Sequence, residues 1–239
     1  MQLPDFALQI AYGRLGWAIV AAAVASAAVG ALWRGARPPS RAVLAATLAG
    51  AAGLMLLPGE LSPAWWLGLA FQYPSGLLVG CCLLRLFERW HGLRRSNVMP
   101  QALAGTLAVT GALLYLDAVG FLARGFYYAG FGPSAMPLLA AAGAVACLAA
   151  IVRGHGRGPA SSLLGAIALF SLLRLPSGNL WDALLDPLLW SWAVVTLVLG
   201  ALRRSGRRAT DRIAPAEPDP VAAPGLQPLA AEHFSSVKE

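Results

Sequence analysis

The stretch LGWAIVAAAVASAAVGALW, from Leu15 to Trp33, decides the class of fold. It contains no charged side chain, and a helix of this length covers the roughly 30 Å of hydrocarbon in a bilayer. A barrel strand would alternate polar and apolar residues, which the run Ala21–Ala31 does not do. The stretch therefore predicts a membrane-spanning α-helix.

Six further apolar runs follow the first, so the sequence predicts an all-α, polytopic transmembrane bundle of about seven spans. The composition agrees, because 58% of the residues are hydrophobic and 12% are charged, against roughly 25% charged in an average soluble domain. So little charge cannot cover the surface of a soluble globule, which argues against a soluble enzyme. The predicted spans are Leu15–Trp33, Ala42–Leu57, Trp65–Leu86, Gln101–Leu122, Ser134–Val152, Pro159–Leu175 and Asp182–Leu202.

Arginine is distributed unequally between alternate loops. The connections after spans one, three, five and seven carry thirteen arginines, whereas those after spans two, four and six carry only Arg124. The positive-inside rule then places the N-terminus in the periplasm and the C-terminus in the cytoplasm. Abundant alanine and the preference for arginine over lysine are typical of a GC-rich bacterial genome, so we predict the bacterial inner membrane.

The two ends of the chain differ from the predicted transmembrane domain, residues 15–202. Residues 1–14 are predicted to be a short segment outside the membrane. Residues 203–239 are predicted to be a cytoplasmic tail, basic at first and then disordered, because proline recurs there among alanine and acidic residues.

The first span has an alternative interpretation as a secretory signal peptide. Arg14, the apolar run and the small residues at Ala25–Ala28 fit that pattern. Cleavage would place the arginines of the first loop outside, against the pattern of all later loops, so we prefer the uncleaved span.

A weak internal repeat indicates three tandem helical hairpins after the first helix. Similar octapeptides begin at Ala42, Gln101 and Ser161, with spacings of 59 and 60 residues. Each would begin a helix that rises to the outer side, turns and returns. Chance similarity between alanine- and leucine-rich helices is the alternative.

Ionisable residues inside or beside the spans are the candidates for a functional site, since a charge in hydrocarbon costs several kcal/mol. The proposed threading puts these residues at one depth on the outer side, where cations and carboxylates can pair. The alternative is that each residue marks a helix end at the interface. Gln72 and Tyr73 join the group because Pro74 interrupts the helical hydrogen bonding beside them. The candidate polar cluster comprises Gln72, Tyr73, Asp117, Arg124, Arg174, Asp182 and Asp186.

Several functional classes lack support in the sequence. No catalytic or nucleotide-binding motif occurs in its required context. The three cysteines, Cys81, Cys82 and Cys147, form no metal-binding or disulfide pattern, and no histidine lies within a span. We therefore predict no catalytic residue, metal or cofactor, and no nucleic-acid partner. The expected partners are the lipid bilayer and either another membrane protein or further copies of this chain.

Two functions remain. The first is a non-enzymatic membrane component, which would be a small-solute or lipid-handling carrier or a subunit of an envelope assembly. The alternative is an envelope enzyme acting on a lipid-linked substrate at the outer leaflet. That enzyme would use Asp117, Asp182 or Asp186 as an acid or base, with Arg174 or Arg124 holding an anionic head group.

Overall fold

A computed structural model describes residues 5–32, 40–93, 98–122 and 124–213, with side chains up to residue 205. Over these ranges the chain is helical and contains no β-strand. A single 3-10 turn, Gly59–Leu61, precedes the third helix. The α-helices are α1 (Phe6–Leu32), α2 (Arg41–Met55), α3 (Pro63–Phe71), α4 (Gly76–His91), α5 (Gln101–Ala118), α6 (Phe126–Ala129), α7 (Ala135–Val152), α8 (Arg157–Leu173), α9 (Leu180–Leu184) and α10 (Pro187–Ile213).

Four helices are long and apolar enough to cross a membrane: α1, α5, α7 and the Pro187–Ser205 part of α10. Two shorter helices, α2 and α8, are also apolar. Large apolar side chains on the helix surfaces are exposed, among them Leu138 at 71% and Leu172 at 81%. A surface of this kind is costly in water and favourable against lipid. The all-α prediction with membrane-length helices is confirmed, whereas seven complete spans are not.

The first helix begins earlier than predicted. Asp5 accepts hydrogen bonds from the backbone N–H groups of Ala7 (2.8 Å) and Leu8 (3.3 Å), and the helix then runs from Phe6. An aspartate at this position satisfies N–H groups that have no partner within the helix. Residues 6–14 therefore belong to α1, and Arg14 lies inside the helix.

Four of the other predicted spans end or divide differently. The third is broken between Phe71 and Gly76 around Pro74, so Trp65–Leu86 is not one helix. The fourth ends at Ala118 and the sixth at Leu173, before the predicted ends at Leu122 and Leu175. Asp182–Leu202 divides between α9 and α10, because Asp186 caps a new helix, and α10 continues beyond Leu202 to Ile213.

Close packing in the core joins α1 to α2 and α4, and α8 to α4 and α7. The contact between α4 and α8 is close at Gly76, where an added Cβ would lie 3.0 Å from the Cβ of Ala166. The three predicted hairpins are not confirmed, since α8 of the third hairpin packs most closely against α4 of the first and α7 of the second, and α2 packs most closely against α1. α1 buries Trp17 and Ala22 in this core.

The chain divides into two units, Met1–Gly200 and Ala201–Glu239. The first contains the helices from α1 to α9 and most of α10. The second contains the last turns of α10 to Ile213. The predicted disorder of residues 214–239 lies outside the described residues.

Candidate functional site

Four segments meet at one end of the bundle, which we call the polar end: the first turns of α1, the break between α3 and α4, residues 124–134, and residues 174–186. Gln9 Nε2 donates a hydrogen bond to the Pro176 carbonyl at 2.8 Å. The Leu180 N–H donates to the Gly130 carbonyl at 3.2 Å. The sequence-predicted polar residues all lie in or beside these four segments.

The break between α3 and α4 is held by side chains from other helices. Gln72 adopts a left-handed φ of 60°, and its carbonyl accepts a hydrogen bond from Trp17 Nε1 at 3.3 Å. The Tyr12 hydroxyl donates to the Pro74 carbonyl at 2.7 Å. Backbone groups released from a helix at membrane depth must find such partners. The break between α3 and α4 is therefore stabilised by specific hydrogen bonds from α1.

Asp186 joins the same break to the start of α10. Its Oδ2 accepts the Ser75 N–H at 2.7 Å, and its Oδ1 accepts the Leu189 N–H at 2.8 Å. Asp186 is 6% exposed and Ser75 is fully buried. The carboxylate thus satisfies two buried N–H groups on helices that are distant in sequence.

Asp117 has a similar structural role at the end of α5. Its carboxylate accepts hydrogen bonds from the backbone N–H groups of Arg124 (2.7 Å), Gly125 (3.0 Å) and Tyr127 (2.9 Å). Arg124 takes part in this contact only through its backbone N–H, and the residue is exposed. Asp117 therefore closes the turn that follows α5. Among the described residues, no ion pair joins it to Arg174 or Arg124.

Asp182 in α9 lies in a network of hydroxyl groups. It accepts hydrogen bonds from the Tyr127 hydroxyl at 3.0 Å and from the Ser177 hydroxyl. Burial raises the pKa of Asp182 above its ordinary value, and these two hydrogen bonds oppose the rise. Burial, and then the Asp182 charge, raise the pKa of Tyr127 to about 12. The tyrosine is therefore a hydrogen-bond donor at neutral pH.

Asn179, fully buried, ties the turn before α9 to the segment around α6. Its Oδ1 accepts the Trp181 N–H at 3.0 Å, and its Nδ2 donates to the Tyr127 carbonyl at 3.4 Å. Gly130 leaves the space for this side chain, because a Cβ there would lie 1.8 Å from Asn179 Oδ1.

Arg174 lies apart from every one of these carboxylates. It ends α8 with a left-handed φ of 56°. Its Nη1 lies 2.9 Å from the Met136 sulfur, and its guanidinium carbon lies 5.3 Å from the centre of the Phe170 ring. A thioether and an aromatic ring are weak partners for a cation.

A cavity of about 570 Å³ opens between α1 and α3; we call it the Arg14 cavity. Its walls are mostly apolar and aromatic, and Arg14 is half-buried within it. No described carboxylate lies within 4.0 Å of the Arg14 guanidinium. The lining residues that matter here are Arg14, Trp17, Trp65, Gly68, Gln72 and Tyr73.

The predicted polar cluster is thus divided among separate sites. Asp117 with the Arg124 backbone, Asp182 and Asp186 form three hydrogen-bond networks, Arg174 lies between α7 and α8, and Gln72 and Tyr73 line the Arg14 cavity. In the described ranges, no three His, Cys, Asp or Glu side chains come together as a metal site.

Sequence reasoning did not select Arg14 as a site residue, although it noted the residue as the basic start of a signal-like segment. The available signal was an arginine followed directly by an uninterrupted apolar run. Tyr12, Ser177 and Asn179 were also missed, and nothing in the sequence marks their partners.

Comparison with known proteins adds no assignment, because no protein-family model, curated protein or solved structure matches this chain.

Proposed function

We propose that the chain is a multi-pass protein of the bacterial inner membrane with seven crossings, its N-terminus periplasmic and its C-terminus cytoplasmic. The crossings are α1, α2, α3 with α4, α5, α7, α8 and α10. Four of these are long enough by themselves, and the arginine distribution orients them. In this threading the polar end faces the periplasm.

We further propose that the protein is a non-enzymatic, lipid-handling component that binds an anionic amphiphile in the Arg14 cavity. The observation that carries this proposal is a half-buried guanidinium in a large, mostly apolar cavity, with no carboxylate of the described residues within ion-pairing distance. Burying a charge is costly unless an opposite charge compensates it. An anionic head group supplies that charge, and its hydrocarbon chain fits against Trp17 and Trp65.

The state of the carboxylates supports binding rather than catalysis. Asp117 and Asp186 accept hydrogen bonds from backbone N–H groups, and Asp182 accepts them from two hydroxyls. A general acid or base needs access to the proton it transfers. Carboxylates engaged in holding the backbone are poorly suited to that role, which weighs against an envelope enzyme using these residues.

Gly68 offers a direct test because its Cβ position has no neighbour within 4 Å. Gly68→Leu fills the cavity, and the change from glycine favours the helix by roughly 1 kcal/mol. Gly50→Leu is the matched control: Gly50 also lies in a helix with open space at its Cβ, but outside the cavity. Arg14→Gln removes the charge.

The probe is dodecyl phosphate, with dodecanol as its uncharged analogue, added to protein purified in a maltoside detergent. We expect dodecyl phosphate to raise the melting temperature of wild type and Gly50→Leu in a saturable manner. Gly68→Leu and Arg14→Gln should show a clearly smaller rise, and dodecanol should have little effect. Equal responses in all four proteins, or none in wild type, would contradict the proposal.

A further inference from the structure

A second recess, which we call the Arg174 groove, lies between α7 and α8 and encloses about 290 Å³. It is separate from the Arg14 cavity and shares no lining residue with it. Met136, Ala140 and Ala144 line one side at intervals of four residues along α7. Ile167 and Phe170 of α8 line the other.

The groove has the dimensions of part of a hydrocarbon chain. From Met136 to Ala144 the helix rises about 12 Å at 1.5 Å per residue. The walls along this length are mostly apolar: α7 contributes alanines, and α8 contributes the larger side chains of Ile167 and Phe170. Small residues here leave an elongated recess between two helices that otherwise pack closely.

A single cation stands at the end of this recess. Arg174 is half-buried, and its guanidinium contacts the Met136 sulfur and the Phe170 ring. None of the described carboxylates lies within ion-pairing distance of it. An arginine held in this way offers several N–H donors to a phosphate, which guanidinium binds with charge-assisted hydrogen bonds.

We propose that the Arg174 groove binds one phospholipid with a net anionic head group, whose phosphate contacts Arg174 and one of whose acyl chains lies along α7. Charge complementarity selects an anion, and the apolar recess selects a molecule with a hydrocarbon chain. In the proposed threading Arg174 lies at the end of α8, at the depth of the lipid phosphates of the outer leaflet.

The binding test uses native mass spectrometry of the full chain with dioleoyl phosphatidylglycerol and, separately, dioleoyl phosphatidylcholine. Wild type should bind the anionic lipid more tightly. Arg174→Asn removes the charge and supplies a residue that tolerates a left-handed φ, so it should weaken anionic-lipid binding by roughly tenfold and abolish the preference. Arg174→Lys retains the charge and should keep most of the binding.

Matched variants separate the groove from the rest of the surface. Ala141→Leu places a larger side chain on an exposed lining position, and Ala142→Leu does so on its exposed neighbour outside the groove. Only the first should weaken binding. Arg124→Asn, at an exposed arginine of the polar end, should bind as wild type. All of these variants are made in the Gly68→Leu background, in which the Arg14 cavity is filled, so that the bound lipid reports the Arg174 groove.

Three results would overturn the proposal: wild-type binding in Arg174→Asn, equal effects of the two alanine variants, or full competition by glycerol 3-phosphate, which would indicate a site for a free anion. Loss of binding in Gly68→Leu would instead assign the lipid to the Arg14 cavity.

Discussion

Replacing Asp186 with alanine should destabilise the protein more than loss of an ordinary helix cap. The exchange removes the acceptor for the Leu189 N–H, a helix-capping contact worth about 1 kcal/mol. It also leaves the buried Ser75 N–H without its partner, which costs roughly 1–3 kcal/mol. The expected total is about 3 kcal/mol, and for a chain of this size that lowers the melting temperature by roughly 6–12 °C.

Asp5→Ala is the control for this prediction. Asp5 also caps a helix, accepting the Ala7 N–H at 2.8 Å, but that contact is exposed and touches no second helix. It should lower the melting temperature by only about 2–4 °C. The melting temperature of Asp186→Asn should lie between those of Asp186→Ala and Asp5→Ala. Its amide oxygen can accept one of the two N–H groups, of Ser75 or Leu189, while its amide nitrogen faces the remaining one.

Thermal unfolding in a maltoside detergent, followed by tryptophan fluorescence, measures these differences. The interpretation of Asp186 as a bond between two helices fails if Asp186→Ala melts at or above the temperature of Asp5→Ala. An equal loss in Asp186→Asn and Asp186→Ala would show instead that the charge, rather than the pair of acceptor oxygens, is what matters.

Three further predictions concern the polar end and the threading. Gly130→Ala should destabilise the protein by more than about 2 kcal/mol, because the new Cβ would overlap Asn179; Gly165→Ala, which meets open space, should not, and equal melting temperatures would refute the contact. Burial raises the pKa of Asp182 in the folded protein, so its protonation favours folding below the ordinary carboxyl pKa, and this contribution disappears as pH rises through the raised value. As pH rises from the ordinary carboxyl pKa through the raised pKa of Asp182, the melting temperature of wild type should therefore fall relative to that of Asp182→Asn. A difference between the two melting temperatures that does not change with pH would contradict the raised pKa. In a version without native cysteines, Glu60→Cys should react with a membrane-impermeant maleimide in intact bacterial cells and Ser96→Cys should not; the reverse pattern would invert the proposed threading.

Composition and periodicity were sufficient to predict the helical class and the approximate position of each apolar segment. They also placed Asp117, Asp182 and Asp186 at one end of the bundle, because loop order and helix length determine which ends lie together. Pro74 was predicted to remove a helical hydrogen bond and kink a single span, Trp65–Leu86. The helix is instead completely broken there, and Tyr12 and Trp17 donate hydrogen bonds to the released carbonyl groups.

The partners of the carboxylates could not be predicted in the same way. Whether Asp117 meets an arginine side chain or a backbone N–H depends on the path of a few loop residues, which apolar periodicity does not encode. The turn after Ala118 directs three N–H groups toward Asp117. Arg174, for its part, faces Met136 on α7. These residues do lie at one end of the bundle, and that proximity is still insufficient to imply contact.

The separation of acids from arginines has a chemical consequence for the polar end. Its buried acids are satisfied within the protein, two by backbone N–H groups and Asp182 by hydroxyls. Arg14 and Arg174, by contrast, each lie half-buried beside an apolar recess, with no described carboxylate in ion-pair distance. The half-buried charges at the polar end that lack a carboxylate partner among the described residues are therefore the positive charges of Arg14 and Arg174. Each of them lies beside an apolar recess that can hold a hydrocarbon chain. A neutral solute would leave both guanidinium groups uncompensated, and a small inorganic anion would leave both recesses empty of hydrocarbon. A molecule with an acidic head and an apolar chain satisfies both requirements at either recess.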